Sequence, residues 1–176
     1  MPRLGLYRAA AGERAGARAG LGFFSTFEKQ LDGKRRIVVP SDFRAEVAGP
    51  FDGVFCFPSI EADCIEGGGQ KLFERYQGLI EELPFGDPVR SALETSVYGG
   101  LCRLSFDTAG RITLPDALCE MFGIESDVAV VGLGDRFQIW PLAAFRAQRE
   151  AARTAARDGL AALRNQQRAA RVGSAA

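Results

Sequence analysis

The sequence predicts a β-rich α+β fold built from one unit used twice. Three observations carry that reading. First, Leu31-Asp32-Gly33-Lys34-Arg35-Arg36-Ile37-Val38-Val39-Pro40 is echoed by Phe106-Asp107-Thr108-Ala109-Gly110-Arg111-Ile112-Thr113-Leu114-Pro115, 75 positions later. Second, the echo extends beyond the turn. Phe43 falls opposite Leu118 at the same spacing, Val54–Phe57 opposite Val128–Val131 at 74, and Cys64 opposite Phe137 at 73. Third, short β-branched and aromatic runs bounded by Gly, Pro and Asp alternate with segments of one-face helical period.

Residues 1–22 are rich in Ala, Gly and Arg and have no sustained apolar period, so they read as a disordered extension ahead of the fold. They lack the apolar centre of a secretory signal. Order is expected from Phe23. Residues 24–31, with Phe24, Phe27 and Leu31, read as a strand, 32–35 as a turn and 36–39 as a second strand. Pro40 has no N–H for a ladder and ends that strand. Ser41 and Asp42 suit a helix start, because their side-chain oxygens can accept from free amides. The helix should run over 42–48 and stop at Gly49-Pro50.

Residues 54–57 and 63–65 read as two strands around a turn. Residues 67–69, all glycine, read as a flexible strand-to-helix joint and not a phosphate loop, since no Gly-Lys-Ser/Thr follows. Leu72, Phe73, Tyr76, Leu79, Ile80 and Leu83 mark a helix over 70–83. Asp87-Pro88 is a cap followed by proline at the first helical position, so another helix should reach about Thr95. The second copy then supplies strands at 101–106 and 111–114, a turn at 107–110 and a helix at 116–122. Gly123 suits a left-handed residue after that helix. Strands at 128–131 and 137–140 precede a long Ala/Arg helix after Pro141. The expected segments are 1–22, 23–69 (first repeat), 70–97 (helical linker), 98–145 (second repeat) and 146–176 (Ala/Arg-rich helical tail).

Net formal charge is zero but unevenly spread. Residues 1–22 hold four Arg against Glu13, and 146–176 hold seven Arg against Glu150 and Asp158. Residues 23–145 keep 11 cations against 19 acids, near −8, between basic ends. No apolar run reaches the roughly 18 residues of a membrane span, which predicts a soluble protein. The chain has no histidine, which excludes Ser-His-Asp or Cys-His catalysis and imidazole metal ligation. The cysteines, at 56, 64, 102 and 119, have no CxxC spacing and read as buried thiols in a reducing cytoplasm. No catalytic, cofactor or metal site is read from the chain.

Asp-x-x-Gly-Arg, three mostly apolar residues, then Pro resembles the signature of the SpoVT/AbrB swapped-hairpin DNA-binding family. Two copies joined by helices resemble the MraZ family of regulators. The resemblance covers residues 23–145. The second motif matches in full at Asp107, Gly110, Arg111 and Pro115. The first has Arg35 where the family has glycine, which implies a different turn geometry or a strain cost. The resemblance implies a β-barrel of two interlocked hairpin-and-helix units. It also implies a ring-like homo-oligomer bound to short direct repeats in double-stranded DNA. The target would be the division and cell-wall gene cluster, including the protein's own promoter, with a cytoplasmic, nucleoid-associated location.

Lys34, Arg35 and Arg36 are the expected DNA-contacting cations, and Arg111 is a fourth candidate. Cations on a tight turn can pair with phosphates, and Arg can read guanine bidentately. The same cluster alone also fits a solvated charged turn. For Arg111 an ion pair inside the fold is an equal reading. Asp32 and Asp107 shape the turns by bonding their own backbone. Gly110 supplies the turn conformation, and Pro40 and Pro115 end strands and open helices. The regulator reading has one alternative, an antitoxin-like or scaffold module that uses the same fold to hold a protein partner.

Overall fold

The computed structural model describes residues 22–173, so the expectation for the N-terminal extension lies, apart from Gly22, outside the described residues. The first repeat gives β1 (Thr26–Gln30), β2 (Arg36–Val38), α1 (Ser41–Glu46), β3 (Gly53–Pro58) and β4 (Ile65–Gly68). The linker gives α2 (Gln70–Glu81), α3 (Pro88–Leu93) and a π-helical turn (Glu94–Tyr98). The second repeat gives β5 (Cys102–Ser105), β6 (Arg111–Thr113), α4 (Asp116–Phe122), β7 (Asp127–Gly132) and β8 (Phe137–Pro141), followed by α5 (Leu142–Gly173).

The repeats interlock strand by strand. Six strands form one antiparallel sheet in the order β1-β7-β8-β4-β3-β5, and β2 and β6 form a separate ribbon. β1 pairs with β7 as β5 pairs with β3. Two pairings lie on a pseudo-twofold axis. In the ribbon Ile37 faces Ile112, 75 positions on. In the sheet Glu66 faces Gln138, 72 positions on, so the spacing in this hairpin is one less than the sequence comparison of Cys64 with Phe137 indicated.

The β-barrel that the resemblance implied is not closed among the described residues. After each Asp turn the chain leaves its own hairpin, and β2 pairs with β6 instead of β1. The ribbon therefore covers one face of an open sheet without a ladder closing the edges at β1 and β5. Between ribbon and sheet lies the main core. It contains Ile37, Val39, Ile112 and Leu114 from the ribbon side, Phe43 and Leu118 from α1 and α4, and Val54, Ile65, Val130 and Ile139 from the sheet. Phe43 is fully buried and packs edge-on to Phe23 and Phe27. Truncating such a ring costs about 3–5 kcal/mol.

The opposite sheet face carries two smaller clusters. Phe57, Leu72, Ile80 and Val97 pack the linker helices onto β3. Trp140, Phe145, Val131 and Cys64 seat the start of α5 on β7 and β8. Between the clusters Glu66 is fully buried. It accepts from Tyr76 Oη (2.7 Å) and Ser59 Oγ (3.1 Å) and lies 3.5 Å from Arg136 Nε, as a buried carboxylate requires. From Arg146 to Ala170, α5 is exposed on all sides.

Several local expectations change. Gly67 and Gly68 are strand residues of β4, not a loose joint. A Cβ at Gly67 would lie 2.5 Å from the Phe137 ring, and one at Gly68 2.8 Å from Leu72, so close packing explains both glycines. Pro40 occupies the cap position of α1, and no side-chain cap bond forms from Ser41 or Asp42. Phe24 is exposed, and the neighbouring Phe23 enters the core instead. The Asp87 cap forms as expected, its carboxylate accepting from the Val89 and Arg90 amides. Gly123 is left-handed at φ 64°.

Candidate nucleic-acid interface

Both Asp turns are built on one plan. Asp32 Oδ1 accepts from the amides of Lys34 (2.9 Å) and Arg36 (3.0 Å), and its Oδ2 accepts from Arg36 Nε at 2.7 Å. Asp107 repeats this with the amides of Ala109 and Arg111 (2.9 Å each) and Arg111 Nε at 2.8 Å. A short carboxylate that gathers two amides of its own turn explains why aspartate stands here. These bonds hold both carboxyls below the usual range. For Asp32 the leading cause is the Arg36 side chain, and for Asp107 it is the Arg111 amide.

Strand alternation then decides which ribbon side chains face out. Ile37 and Ile112 point to the core, so Arg36, Val38, Arg111 and Thr113 lie on the outer face. Arg36 faces Thr113 across the ladder, and Arg111 faces Val38. The Arg111 guanidinium also reaches Asp32, at 3.7 Å, so the two turns share charge across the axis. Arg36 and Arg111 have nearly equal side-chain exposure, 29% and 30%. The structure thus gives them matching surroundings. Lys34, at the tip of the first turn, is exposed, and among the described residues it makes no ion pair. Ala109 takes its place in the second turn. Pro40 and Pro115 each leave the ribbon in an extended conformation and open a helix, with ψ 141° in both.

Arg35 does not change the turn. Its φ is 57°, close to the 71° of Gly110, so an arginine holds the left-handed conformation that glycine holds in the second copy. The exchange is balanced elsewhere. A Cβ at Gly110 would sit 2.6 Å from the guanidinium of Arg44 on α1. The position 75 residues after Arg44 is Cys119 on α4. There the small thiol leaves room for Arg35, which reaches α4, lies beside the Cys119 side chain and pairs with Asp116 at 3.0 Å. Each turn therefore has one guanidinium packed between turn and helix, supplied by the turn in one copy and by the helix in the other. Arg44 was missed from the sequence, although the 75-residue register aligns it with Cys119 and could have exposed the exchange.

Among the described residues no helix is long and apolar enough to cross a membrane. The family described as "MraZ protein, putative antitoxin-like" matches residues 98–165. The chain is 73% identical over 150 residues to the transcriptional regulator MraZ of Phenylobacterium zucineum, covering 85% of this chain and 94% of the relative. It is 69% identical over 154 residues to that of Caulobacter vibrioides, covering 88% and 99%. Against the Rickettsia felis protein of the same name it is 37% identical over 144 residues, covering 81% and 97%. Named relatives of this similarity, matched over nearly their whole length and described as transcriptional regulators, establish that the chain belongs to the MraZ family.

Proposed function

We propose that the chain is a sequence-specific, DNA-binding transcriptional regulator that presents the β2–β6 ribbon and the first Asp turn to double-stranded DNA. One observation carries this reading. A two-stranded antiparallel ribbon turns Arg36 and Arg111 outward, with the exposed Lys34 beside them. The major groove admits such a ribbon, and guanidinium groups there can read guanine while an ammonium meets phosphate. Lys34 takes the phosphate role and Arg36 a base or phosphate role, with Arg111 secondary. Arg35 reaches DNA only by leaving Asp116, so its first task is to hold α4. The cytoplasm and nucleoid are the corresponding location.

Three cations on a chain whose middle is near −8 bind a duplex weakly on their own. We place several copies in a ring on short direct repeats, where linked sites gain on the order of 10²–10⁴ in overall affinity. The division and cell-wall cluster, with the protein's own promoter, is the proposed target. A gel-shift titration on DNA upstream of the protein's own gene tests this, with Lys34→Ala, Arg36→Ala and Arg111→Ala in parallel. Binding by the unaltered protein, weakened most by the first-turn changes, is the expected result. The family description favours one second reading, an antitoxin-like or scaffold module that holds a protein partner. Absence of any shift at moderate salt would support that reading over DNA binding.

A further inference from the structure

Two unmatched features lie at opposite ends of α2. Beside its N-terminal end is a cleft of about 480 Å³, lined by Phe23, Val47, Phe51, Phe55 and Leu72. The loop over this cleft carries Gly49, which is exposed, whereas Ile124, 75 positions on, is buried in the core of the other repeat. The first repeat thus has apolar walls without an aliphatic side chain to fill them. Past the C-terminal end of α2, Phe85 is 95% exposed, with only the Arg90 guanidinium over its ring at 5.8 Å. Leu79 (52%) on α2 and Val89 (58%) on α3 are exposed as well. An apolar side chain this exposed points to an interaction site.

The charges on the two features are complementary. The knob carries exposed Glu81 and Glu82. The cleft carries Lys71, Arg75 and Arg103 against Glu46 and Asp135. Asp135 pairs with Arg75, which leaves Lys71 and Arg103 against Glu46 and keeps the rim net positive. A 12-residue helix separates knob from cleft by about 17 Å, so a chain cannot fill its own cleft. The knob belongs to the linker and the cleft is walled mainly by the first repeat and α2, with Arg103 and Asp135 added from the second repeat, so the pseudo-twofold gives neither a twin.

We propose that the Phe85 knob of one copy inserts into the cleft beneath Gly49 of the next, with Glu81 and Glu82 meeting Lys71 and Arg103. The occupant is therefore a second copy of this chain. A knob and a cleft at different places make a head-to-tail contact, which propagates from copy to copy and closes into a ring where the rotation allows. This inference rests on the oligomeric reading above and names the surfaces that reading leaves open.

The test uses the full chain and two variants, with masses measured by sedimentation velocity and folding checked by circular dichroism. Phe85→Glu breaks the knob at an exposed site. Gly49→Trp fills the cleft, and a Cβ there meets only the Val47 carbonyl oxygen within 4 Å, at 3.8 Å. Each variant alone is expected to fall from an assembly to a single-chain mass. An equal mixture should form pairs and nothing larger, because one working knob and one working cleft remain. Variants that assemble like the unaltered protein would overturn the inference and leave the oligomeric reading standing, as would folded variants whose mixture stays monomeric. An unaltered protein that sediments as one chain would overturn both.

Discussion

The two Asp turns share a backbone and differ in what their side chains are free to do. Both gather two amides on an aspartate, pair it with an arginine and place a left-handed residue before the ribbon strand. The second turn keeps glycine at the left-handed position and alanine near its tip. The first carries arginine and lysine there. Duplication has preserved the geometry, while divergence of three or four side chains decides which turn presents charge. The difference also shows how an arginine comes to occupy a left-handed site. Its side chain took the space that Cys119 leaves open, as Arg44 takes the equivalent space over Gly110.

The largest expected effect comes from forcing the second turn to resemble the first. Gly110→Arg places a side chain at φ 71° and into the Arg44 guanidinium. Strain and overpacking together should cost about 3 kcal/mol in urea unfolding. Adding Arg44→Cys should recover part of that loss by rebuilding the first turn's arrangement. Conversely, Arg35→Gly should change stability by less than about 1 kcal/mol, since relief of left-handed strain offsets the lost contacts. Equal costs at the two sites would break the comparison.

Next in size are the matched arginines. Arg36→Ala and Arg111→Ala should each lower stability modestly, because Arg36 pairs with Asp32 and Arg111 with both Asp107 and Asp32 at a part-exposed surface. Gel-shift affinity should fall further for Arg36, which lies beside Lys34. Equal losses of affinity would mean that the two turns face DNA alike.

A smaller effect concerns acid. The carboxyls of Asp32 and Asp107 are held below their ordinary value near 3.8. A depressed carboxyl contributes stability that is present above that value and is lost as pH falls through the folded one. Unfolding midpoints measured from pH 6 down to pH 2 should therefore drop below about pH 4. Asp32→Asn should flatten that limb more than Asp107→Asn, because Asp32 meets two guanidinium groups, Arg36 and Arg111, and Asp107 pairs with Arg111. The reverse order would contradict the turn geometry. Smallest of all, Asp116→Ala should change stability by less than about 0.5 kcal/mol, as an exposed pair does.

Much of the fold was legible because its signals are local. The two Asp turns, the prolines that end strands, the Asp87 cap and the glycine after α4 all act within a few residues. What was not legible depends on distant partners. The ribbon formed by β2 and β6 depends on pairing between repeats, and no local pattern distinguishes it from a closed barrel. Gly67 and Gly68 look like a joint until Phe137 and Leu72 are seen against them. The candidate site divides in the same way. Its residues follow from the motif, but the packing of Arg35 onto α4 required the fold, because Cys119 lies 84 positions away.

In the proposed complex the tip of the first turn, and not that of the second, meets the DNA backbone. The salt dependence of binding to the upstream DNA tests it directly, comparing the unaltered protein with Lys34→Ala and with Ala109→Lys. Each phosphate contact adds about 0.9 to the slope of log affinity against log salt. Lys34→Ala should lower the slope by about one for each copy engaged, while Ala109→Lys leaves it unchanged. An unchanged slope for Lys34→Ala, or a steeper one for Ala109→Lys, would contradict the account.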